Sequence, residues 1–465
     1  MPRAALVRCV GLAGSLLLAV AAFLGGARSP WHPTMTPVTI VAGRDGVLLP
    51  SAWLAGTVLL VGAWVVGRRE IPSARWAYVT AALWALPLLA FLPLGSYDVY
   101  SYACQGWQQA HGLDPYAGGV DLLGCPWRAA VAPTWLSSPA PYGPVFLVLA
   151  AAAAKAGVSL TGTVAVLRAV ALLGVALIAA VLPALARHTG VPLKRAVWLA
   201  LACPLIPIHL ISGAHNDAVM VGLLVAGLAV AADRRMLLAG LLFGLAVGVK
   251  ATAAVVVPFA VLLAPPGRRV RAAVELAGGA VAVLAAVAVV SGRGLGWITG
   301  LQDSGVSVQW TSPPTAVGIA IGLIGPNAVR VTRILGLLCL AVVLVVLWWR
   351  ARRGDALLYA GYALAATVLL APVFHPWYAT WPLAVLAATV KRETLWLVVP
   401  FGVAAVLCLP DGYNLALATR AQGAVLMTAG LVYLTWKAIG EGKKDRAPRP
   451  VGADGDMGRL SRRDA

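Results

Sequence analysis

The stretch Gly240–Pro258, GLLFGLAVGVKATAAVVVP, decides the fold class of this chain. Its only charged residue is Lys250. A lipid bilayer favours segments of about 20 predominantly apolar residues and penalises charges within them. The same pattern recurs along the chain, since 60% of the 465 residues are hydrophobic and only 11% are charged. The sequence therefore predicts an all-α polytopic membrane protein.

Apolar segments separated by breakers divide the chain into about 13 or 14 predicted transmembrane segments. They begin near Cys9, Leu48, Trp76, Thr163, Ala196, Ala218, Met236, Thr252, Ala272, Ile334, Ala356, Tyr378, Leu395 and Val425. Residues 1–440 are thus predicted to form one transmembrane domain. The briefer stretches Gly143–Ala156 and Thr315–Ile324 are predicted to be interfacial or re-entrant helices. The charged, Pro- and Gly-rich residues 441–465 are predicted to be a disordered basic tail.

The net charge of +19 is carried by short Lys and Arg clusters between the apolar segments. Nucleic acid is not an indicated partner, because it would require basic residues along one soluble face. When both termini are placed in the cytoplasm, most of the 36 Lys and Arg residues lie on the cytoplasmic side, as the positive-inside rule requires. We therefore expect a multi-pass protein of the cytoplasmic membrane, surrounded by membrane lipids, with both termini cytoplasmic.

Few carboxylates lie on the predicted external side. No glutamate falls there, and the external aspartates are Asp45, Asp98, Asp114, Asp121, Asp217, Asp303 and Asp411. Most of the six histidines are also external, namely His32, His111, His209, His215 and His375. If the protein is an enzyme that faces outward, its catalytic carboxylate comes from this set of aspartates.

The longest external loop, residues 95–142, is predicted to be the catalytic loop and to carry short helices. It begins directly after an apolar segment, so Asp98 is expected at the membrane surface, close in sequence to Tyr100 and Gln105. Aromatic rings cover the C–H faces of sugars, while carboxylates and amides bind sugar hydroxyl groups. The composition of the loop therefore favours carbohydrate binding. The alternative is an interfacial aromatic belt around a solvated Asp98.

Two cysteines, Cys104 and Cys125, lie in this same external loop. A disulfide between them is chemically permitted in an oxidising compartment. Proximity in sequence does not by itself provide disulfide geometry, so the pairing stays open at this point.

Polar residues also interrupt the apolar segments near their predicted outer ends. An intramembrane lysine is costly and marks a functional site or a paired charge, so Lys250 is a candidate for binding a lipid phosphate, with snorkelling as the alternative. Asp217 is a candidate for ligand binding and also for the N-cap of the next helix, and the two roles are compatible. His375 is a candidate donor to a phosphate oxygen. Arg330 is a further cation candidate, or else a helix-end anchor.

Motifs typical of soluble enzymes are missing from the sequence. It contains no Walker loop, dinucleotide fingerprint, Cys/His zinc spacing or GxSxG motif. Asp98-Val99-Tyr100 is not a DxD motif, so neither a nucleotide sugar nor a divalent metal is indicated, and no cofactor is expected. Nucleotide sugars would also be missing outside the membrane, which favours a lipid-linked donor.

Several stretches resemble those of a known enzyme family, in the family's order. They are DVYSYACQG at Asp98–Gly106, GLDPY at Gly112–Tyr116, PAPYGP at Pro139–Pro144, GAHNDAVMVGLLVAGL at Gly213–Leu228, VGVKATA at Val247–Ala253 and HPWYATW at His375–Trp381. The sequence resembles the polyprenol-phosphomannose-dependent α-1,6-mannosyltransferases of actinobacteria. These are enzymes of the GT-C superfold that build lipomannan and lipoarabinomannan cores. The resemblance extends over most of residues 90–390.

This resemblance implies a GT-C-like helix bundle and an inverting transfer from a polyprenyl-phosphate sugar to a lipid-linked glycan acceptor. Asp98 matches the acidic residue that GT-C enzymes carry in their first large external loop, which implies that it is the general base. The candidates for offsetting the phosphate charge are Lys250, His375, His215 and Arg330. The candidates for sugar or acceptor contact are Tyr100, Gln105, Asp114, Tyr142, Asn216, Asp217, Trp377 and Tyr378.

The main alternative is a transporter or flippase of a lipid-linked sugar or another solute. Many helices and an intramembrane charge fit either class. A transporter is expected to place polar residues near the bilayer midplane, whereas here they lie at the outer ends of the segments beside one long external loop. A receptor or assembly subunit would not need Asp98 and Lys250 together. The sequence therefore favours an enzyme.

Overall fold

The computed structural model describes residues 2–301, 307–392 and 395–444, and their regular structure is helical. In the first half the helices are α1 (Arg3–Gly25), α2 (Pro37–Val41), α3 (Leu48–Gly67), α4 (Ala74–Ala85), α5 (Asp98–Ala110), α6 (Val120–Leu123), α7 (Pro133–Leu136), α8 (Pro144–Gly157), α9 (Leu160–Thr189), α10 (Leu193–Leu201) and α11 (Asp217–Ala232). The all-α prediction is confirmed.

The second half continues the same architecture. Its helices are α12 (Met236–Val249), α13 (Val257–Leu262), α14 (Arg269–Ser291), α15 (Trp297–Gly300), α16 (Pro313–Gly322), α17 (Val329–Ala351), α18 (Ala356–Leu370), α19 (Thr380–Thr389), α20 (Leu395–Ala405), α21 (Leu415–Ala418) and α22 (Arg420–Lys444). Helix α22 includes residues 441–444 of the predicted disordered tail. The rest of that tail, and Asp303, lie outside the described residues.

Five of the described helices are long and apolar enough to cross a membrane, and a bent pair at residues 193–212 makes up to six. The five are Arg3–Gly25, Leu48–Gly67, Leu160–Thr189, Pro266–Ser291 and Val329–Ala351. Six shorter apolar helices add to them, including those at Pro144–Gly157 and Pro313–Gly322 that we expected at the interface. The polytopic class is therefore confirmed, while the larger number of crossings stays a prediction.

Breaks in the helices explain why many apolar segments are short. The bent pair turns by 60° between Leu201 and Ile206, and Ile206–Ser212 is a π-helix. Lys250 has an extended backbone between α12 and the 3₁₀ segment Ala251–Val256. Non-helical backbone at membrane depth is tolerated where it is buried in protein or lines a cavity. These breaks bring polar residues together in one region of the bundle.

Close packing of small residues places α5, α8 and α12 side by side. A Cβ on Gly106 of α5 would lie 2.2 Å from the carbonyl oxygen of Ala150 in α8. A Cβ on Gly143, which precedes α8, would lie 2.4 Å from the carbonyl oxygen of Gly248 in α12. Small residues allow such backbone approach between membrane helices. The first residue of α5, Asp98, is thereby brought near the end of α12, which Lys250 follows.

Candidate active site

Asp98 is buried at the start of α5 and lies between two cavities. Its Oδ1 accepts a hydrogen bond from the indole N–H of Trp135 at 3.0 Å, and its side chain is 12% exposed. The larger cavity has a volume of about 280 Å³ and the smaller one about 120 Å³. Asp98, Trp135 and His375 line both. A group in either cavity therefore has access to the same carboxylate.

The larger cavity combines one cation with apolar and aromatic walls. Lys250 is the only Lys or Arg among the described residues that line it. Tyr142, Tyr378 and Trp381 also line it, and the Lys250 ammonium lies 4.4 Å from the centre of the Tyr378 ring. Leu337 and Leu340 of the long helix α17 form part of the wall. This wall suits an apolar chain, and the ammonium group suits an anion.

Lys250 is held by a buried carboxylate. Its Nζ donates to Oδ1 of Asp217 at 2.8 Å, and the indole N–H of Trp381 donates to the same oxygen at 2.6 Å. Asp217 is fully buried. An ammonium group has three N–H donors, so this pairing leaves Lys250 with donors for a ligand. Asp217 acts here as the counter-ion that fixes the position of Lys250.

Two histidines, His215 and His375, both stack on the ring of Trp377. The ring centres of His215 and Trp377 are 3.9 Å apart, and those of His375 and Trp377 are 4.6 Å apart. His215 Nδ1 lies 3.3 Å from the Tyr102 hydroxyl and 3.9 Å from Oδ2 of Asp98. The stacked rings therefore connect the cavity lining, to which His375 and Trp377 belong, with His215 beside the Asp98 carboxylate.

Burial shifts the protonation of the ionisable groups at this site. Burial raises the pKa of Asp98 to about 6, while the hydrogen bond from Trp135 and the charge of Lys250 limit the rise. Burial, together with Lys250, lowers the pKa of His375 to about 3. The pKa of His215 is also well below its usual value, chiefly through burial. Both imidazoles are therefore neutral at pH 7, so Lys250 provides the positive charge of the larger cavity.

Several predicted site residues line the two cavities. Asp98 and His375 line both, Trp377 lines the smaller cavity, and Lys250, Tyr142 and Tyr378 line the larger one. These residues come from distant parts of the chain, and the packing of the helices brings them together.

The other predicted residues lie outside the cavity linings that the structure describes. His215, Asn216 and Asp217 are buried behind them, and Gln105 is also buried. The Tyr100 hydroxyl donates to the carbonyl oxygen of Ala27 at 2.6 Å, so it ties α5 to the end of α1. Asp114 caps its own loop by accepting from the Tyr116 N–H at 3.0 Å. Arg330 is exposed at the start of α17. The structure places these side chains outside the two described linings, and their contact with a ligand stays a prediction.

The loop at residues 95–142, which is predicted to be external, contains a disulfide and supplies a residue that the sequence did not single out. Cys104 of α5 and Cys125 are bonded, with their Cα atoms 5.6 Å apart. Trp135, in α7 of the same loop, donates to Asp98. The sequence distinguished Trp135 only as one of several aromatic residues in the predicted catalytic loop. Gln309 and Asn414, which line the smaller cavity, gave no signal because they lie far from every motif.

Groups of three or more His, Cys, Asp or Glu side chains that could hold a metal ion do not occur among the described residues. His215 and His375, which stack on Trp377, are not part of such a group.

Comparisons with known proteins point to one family. The family model described as "Alpha-(1->6)-mannopyranosyltransferase, N-terminal domain" matches residues 8–266, and that described as "MptB C-terminal domain" matches residues 313–439. The chain is 34% identical to alpha-(1->6)-mannopyranosyltransferase A of Mycobacterium tuberculosis, over 81% of this chain and 79% of the relative. It is 31% identical to alpha-(1->6)-mannopyranosyltransferase B of Corynebacterium glutamicum, over 94% of this chain and 82% of the relative.

Proposed function

This chain belongs to the alpha-(1->6)-mannopyranosyltransferase family, and we propose that it uses a polyprenyl-phosphate sugar as its donor. The proposed reaction moves a mannosyl unit to a lipid-linked mannan-type acceptor outside the cytoplasmic membrane, with inversion at the anomeric carbon. The observation that carries the proposal is a buried carboxylate, Asp98, that lines two cavities, one of which is also lined by Lys250.

Asp98 acts as the general base in this proposal. It takes the proton of the acceptor hydroxyl while that oxygen forms a bond to the anomeric carbon of the donor sugar. The bond from that carbon to the phosphate oxygen breaks, and the polyprenyl phosphate leaves with the electron pair. Asp98 then releases its proton to water. The charge of the leaving phosphate is offset by Lys250, which Asp217 holds in position at 2.8 Å.

The larger cavity is the proposed donor site, because its two kinds of lining match the two ends of a lipid-linked sugar phosphate. Leu337 and Leu340 belong to α17, whose membrane-crossing window is only 11% buried. That helix therefore presents most of its apolar surface to lipid. A polyprenyl chain can lie along such a surface while its phosphate reaches Lys250.

The proposal is tested with purified protein, radiolabelled polyprenyl phosphomannose and a short α-mannoside. The unmodified chain is expected to yield a labelled, longer mannoside. Asp98→Asn is expected to lower turnover at least about 100-fold, as loss of a general base does, without changing protein level or membrane insertion. Asp121→Asn is the matched control, because Asp121 is a partly exposed loop aspartate paired with Arg128 at 2.6 Å.

Normal turnover by Asp98→Asn would contradict the assigned base. If no hexosyl donor gives a labelled product while vesicles containing the protein take up a substrate, the transporter alternative replaces the proposal.

A further inference from the structure

The smaller cavity has a lining that differs in kind from that of the larger one. Aromatic rings from separate loops face it, and neutral polar side chains lie between them. The aromatic residues are Trp31, Tyr97, Trp135, Trp377 and Tyr413, and the neutral polar residues are Ser96, Thr134, Ser307, Gln309 and Asn414. Among the described residues, no Lys, Arg or Glu lines this cavity. It therefore provides ring faces and hydrogen-bonding groups but no cation for a phosphate.

This combination matches the surface of an uncharged saccharide. The C–H faces of a sugar ring pack on aromatic rings, while amides and hydroxyls exchange hydrogen bonds with its hydroxyl groups. An anionic lipid phosphate would instead require a cation, and Lys250 lines only the other cavity. The larger cavity thus offers a cation for the lipid phosphate, and the smaller one offers aromatic rings and neutral polar groups for a sugar.

The walls of the smaller cavity come from segments between the long helices. They include residues 31–33 after α1, Gly95–Asp98 at the start of α5, residues 132–135 around α7 and residues 408–417 before α22. None of these segments belongs to the five helices that can cross a membrane. The described walls of this cavity are therefore formed outside those five helices.

A buried carboxylate fixes two of these segments to each other. Oδ2 of Asp411 accepts from the backbone N–H groups of Thr34 and Met35, both at 2.8 Å. Oδ1 accepts from the N–H of Tyr413 at 3.0 Å. Gly412 has a φ of +81°, and a Cβ there would lie 2.7 Å from the Tyr97 ring. These hydrogen bonds hold the segment after α1 and the segment before α22 in fixed positions on the cavity wall.

We infer that the smaller cavity is the binding site for the saccharide end of the acceptor, which approaches Asp98 from the side opposite the donor. The inference rests on the proposed function and assigns the acceptor to particular residues. An acceptor hydroxyl in this cavity meets Asp98, which lines both spaces. Trp31, Tyr413 and Asn414 line the smaller cavity alone, so they contact the acceptor and not the donor.

The test uses Asn414→Asp, which removes the amide N–H donors but keeps an oxygen. That oxygen preserves the local cap, because Oδ1 of Asn414 accepts from the Ala416 N–H at 2.8 Å and aspartate caps equally well. The KM for a short α-mannoside is expected to rise about tenfold, a change of about 1.4 kcal/mol, with the donor KM unchanged. Trp31→Ala is expected to do the same by removing a ring face.

Asn327→Asp is the matched control. Oδ1 of Asn327 accepts from the Val329 N–H at 3.1 Å in the same local arrangement, but Asn327 lies at the start of α17, outside both cavities. Its KM values for donor and acceptor are expected to match those of the unmodified chain.

A second measurement separates this inference from the proposed function. Binding of the α-mannoside to purified protein is followed by calorimetry, with no donor present, and Asn414→Asp is expected to weaken it about tenfold. Binding that responds to Asn414→Asp in a protein without turnover would sustain the acceptor site and contradict the proposed function. Turnover by the unmodified chain with an unchanged KM and Kd in Asn414→Asp and Trp31→Ala would overturn the inference, as would a rise in the donor KM alone.

Discussion

Individual side chains at this site have properties that their sequence neighbours do not reveal. Asp98 is an ordinary aspartate in a polar loop, but burial raises its pKa to about 6 and Trp135 supplies a hydrogen bond to it. A base with a pKa near the working pH combines the correct protonation state with useful basicity. The same burial keeps His375 neutral, with a pKa of about 3.

The pH dependence of transfer follows from the raised pKa of Asp98. The base works in its deprotonated form, so kcat/KM for the acceptor is expected to rise with pH through about 6 and to be lost at lower pH. Trp135→Phe removes an N–H that stabilises the carboxylate, so the pKa and the acid limb should move upward by about one pH unit. Trp349→Phe, at an exposed tryptophan in the last turn of α17, is expected to leave the profile unchanged. An unshifted limb in Trp135→Phe would contradict the role of that hydrogen bond.

Because Lys250 and Asp217 form a buried ion pair, variants of the pair are expected to change stability and transfer activity independently. Lys250→Met leaves Asp217 buried without its cation, which costs about 3–5 kcal/mol and also removes the charge that meets the donor phosphate. The double variant Lys250→Met with Asp217→Asn removes both charges, so it is expected to regain thermal stability in detergent but not turnover. Recovery of turnover in the double variant would show that the ammonium group is not needed for the donor.

Close packing of three helices, α5, α8 and α12, positions Asp98 relative to Lys250. Helix α5 begins with Asp98, packs on α8 at Gly106, and α8 in turn begins next to α12 at Gly248. The shortness of the apolar stretch Gly143–Ala156, together with the Lys and Arg pattern, predicted an interfacial or re-entrant helix. In the structure the corresponding helix α8 lies against both α5 and α12, so it connects the element that carries Asp98 with the element that precedes Lys250.

The contact between α5 and α8 can be tested with a single methyl group. Gly106→Ala places a Cβ at 2.2 Å from the Ala150 carbonyl oxygen, so α5 must move away from α8 and carry Asp98 with it. Stability is expected to fall by about 1–3 kcal/mol, and transfer should fall with it. Gly278→Ala in α14 is the control, because nothing lies within 4 Å of a Cβ at that position. Equal activity of the two variants would mean that the packing of α5 does not set the position of Asp98.

Among the described residues, two long apolar helices are the least buried of those that can cross a membrane. The membrane-crossing windows at Pro266–Ser291 and Val329–Ala351 are each only 11% buried, which fits helices whose apolar faces contact lipid. Residues of the long loop 95–142 line both cavities. The distribution of Lys and Arg predicts that this loop faces outward.

Sidedness can be measured with cysteines placed at opposite ends of the molecule. Arg44→Cys lies in an exposed loop that is predicted to be external, and Arg235→Cys lies in an exposed loop that is predicted to be cytoplasmic. A membrane-impermeant maleimide added to intact cells is expected to label Arg44→Cys and not Arg235→Cys, with the unmodified chain as the background. The reverse pattern would place the active site in the cytoplasm and contradict the use of an external acceptor.

The sequence by itself determined the membrane class, because apolar composition is a local property that lipid requires of every crossing segment. It also selected Asp98, Lys250 and His375 as candidates, since polar residues stand out in apolar surroundings, and its motif order identified the family. Only the tertiary structure decided which candidates meet. Asp217 lies behind Lys250 as its counter-ion, Arg330 lies outside the cavity linings, and Trp135 hydrogen-bonds to Asp98. These outcomes depend on how helices far apart in the chain pack together, as when Trp381 donates to Asp217, and no local pattern specifies that packing. The division into two cavities that share one carboxylate is a consequence of the same packing.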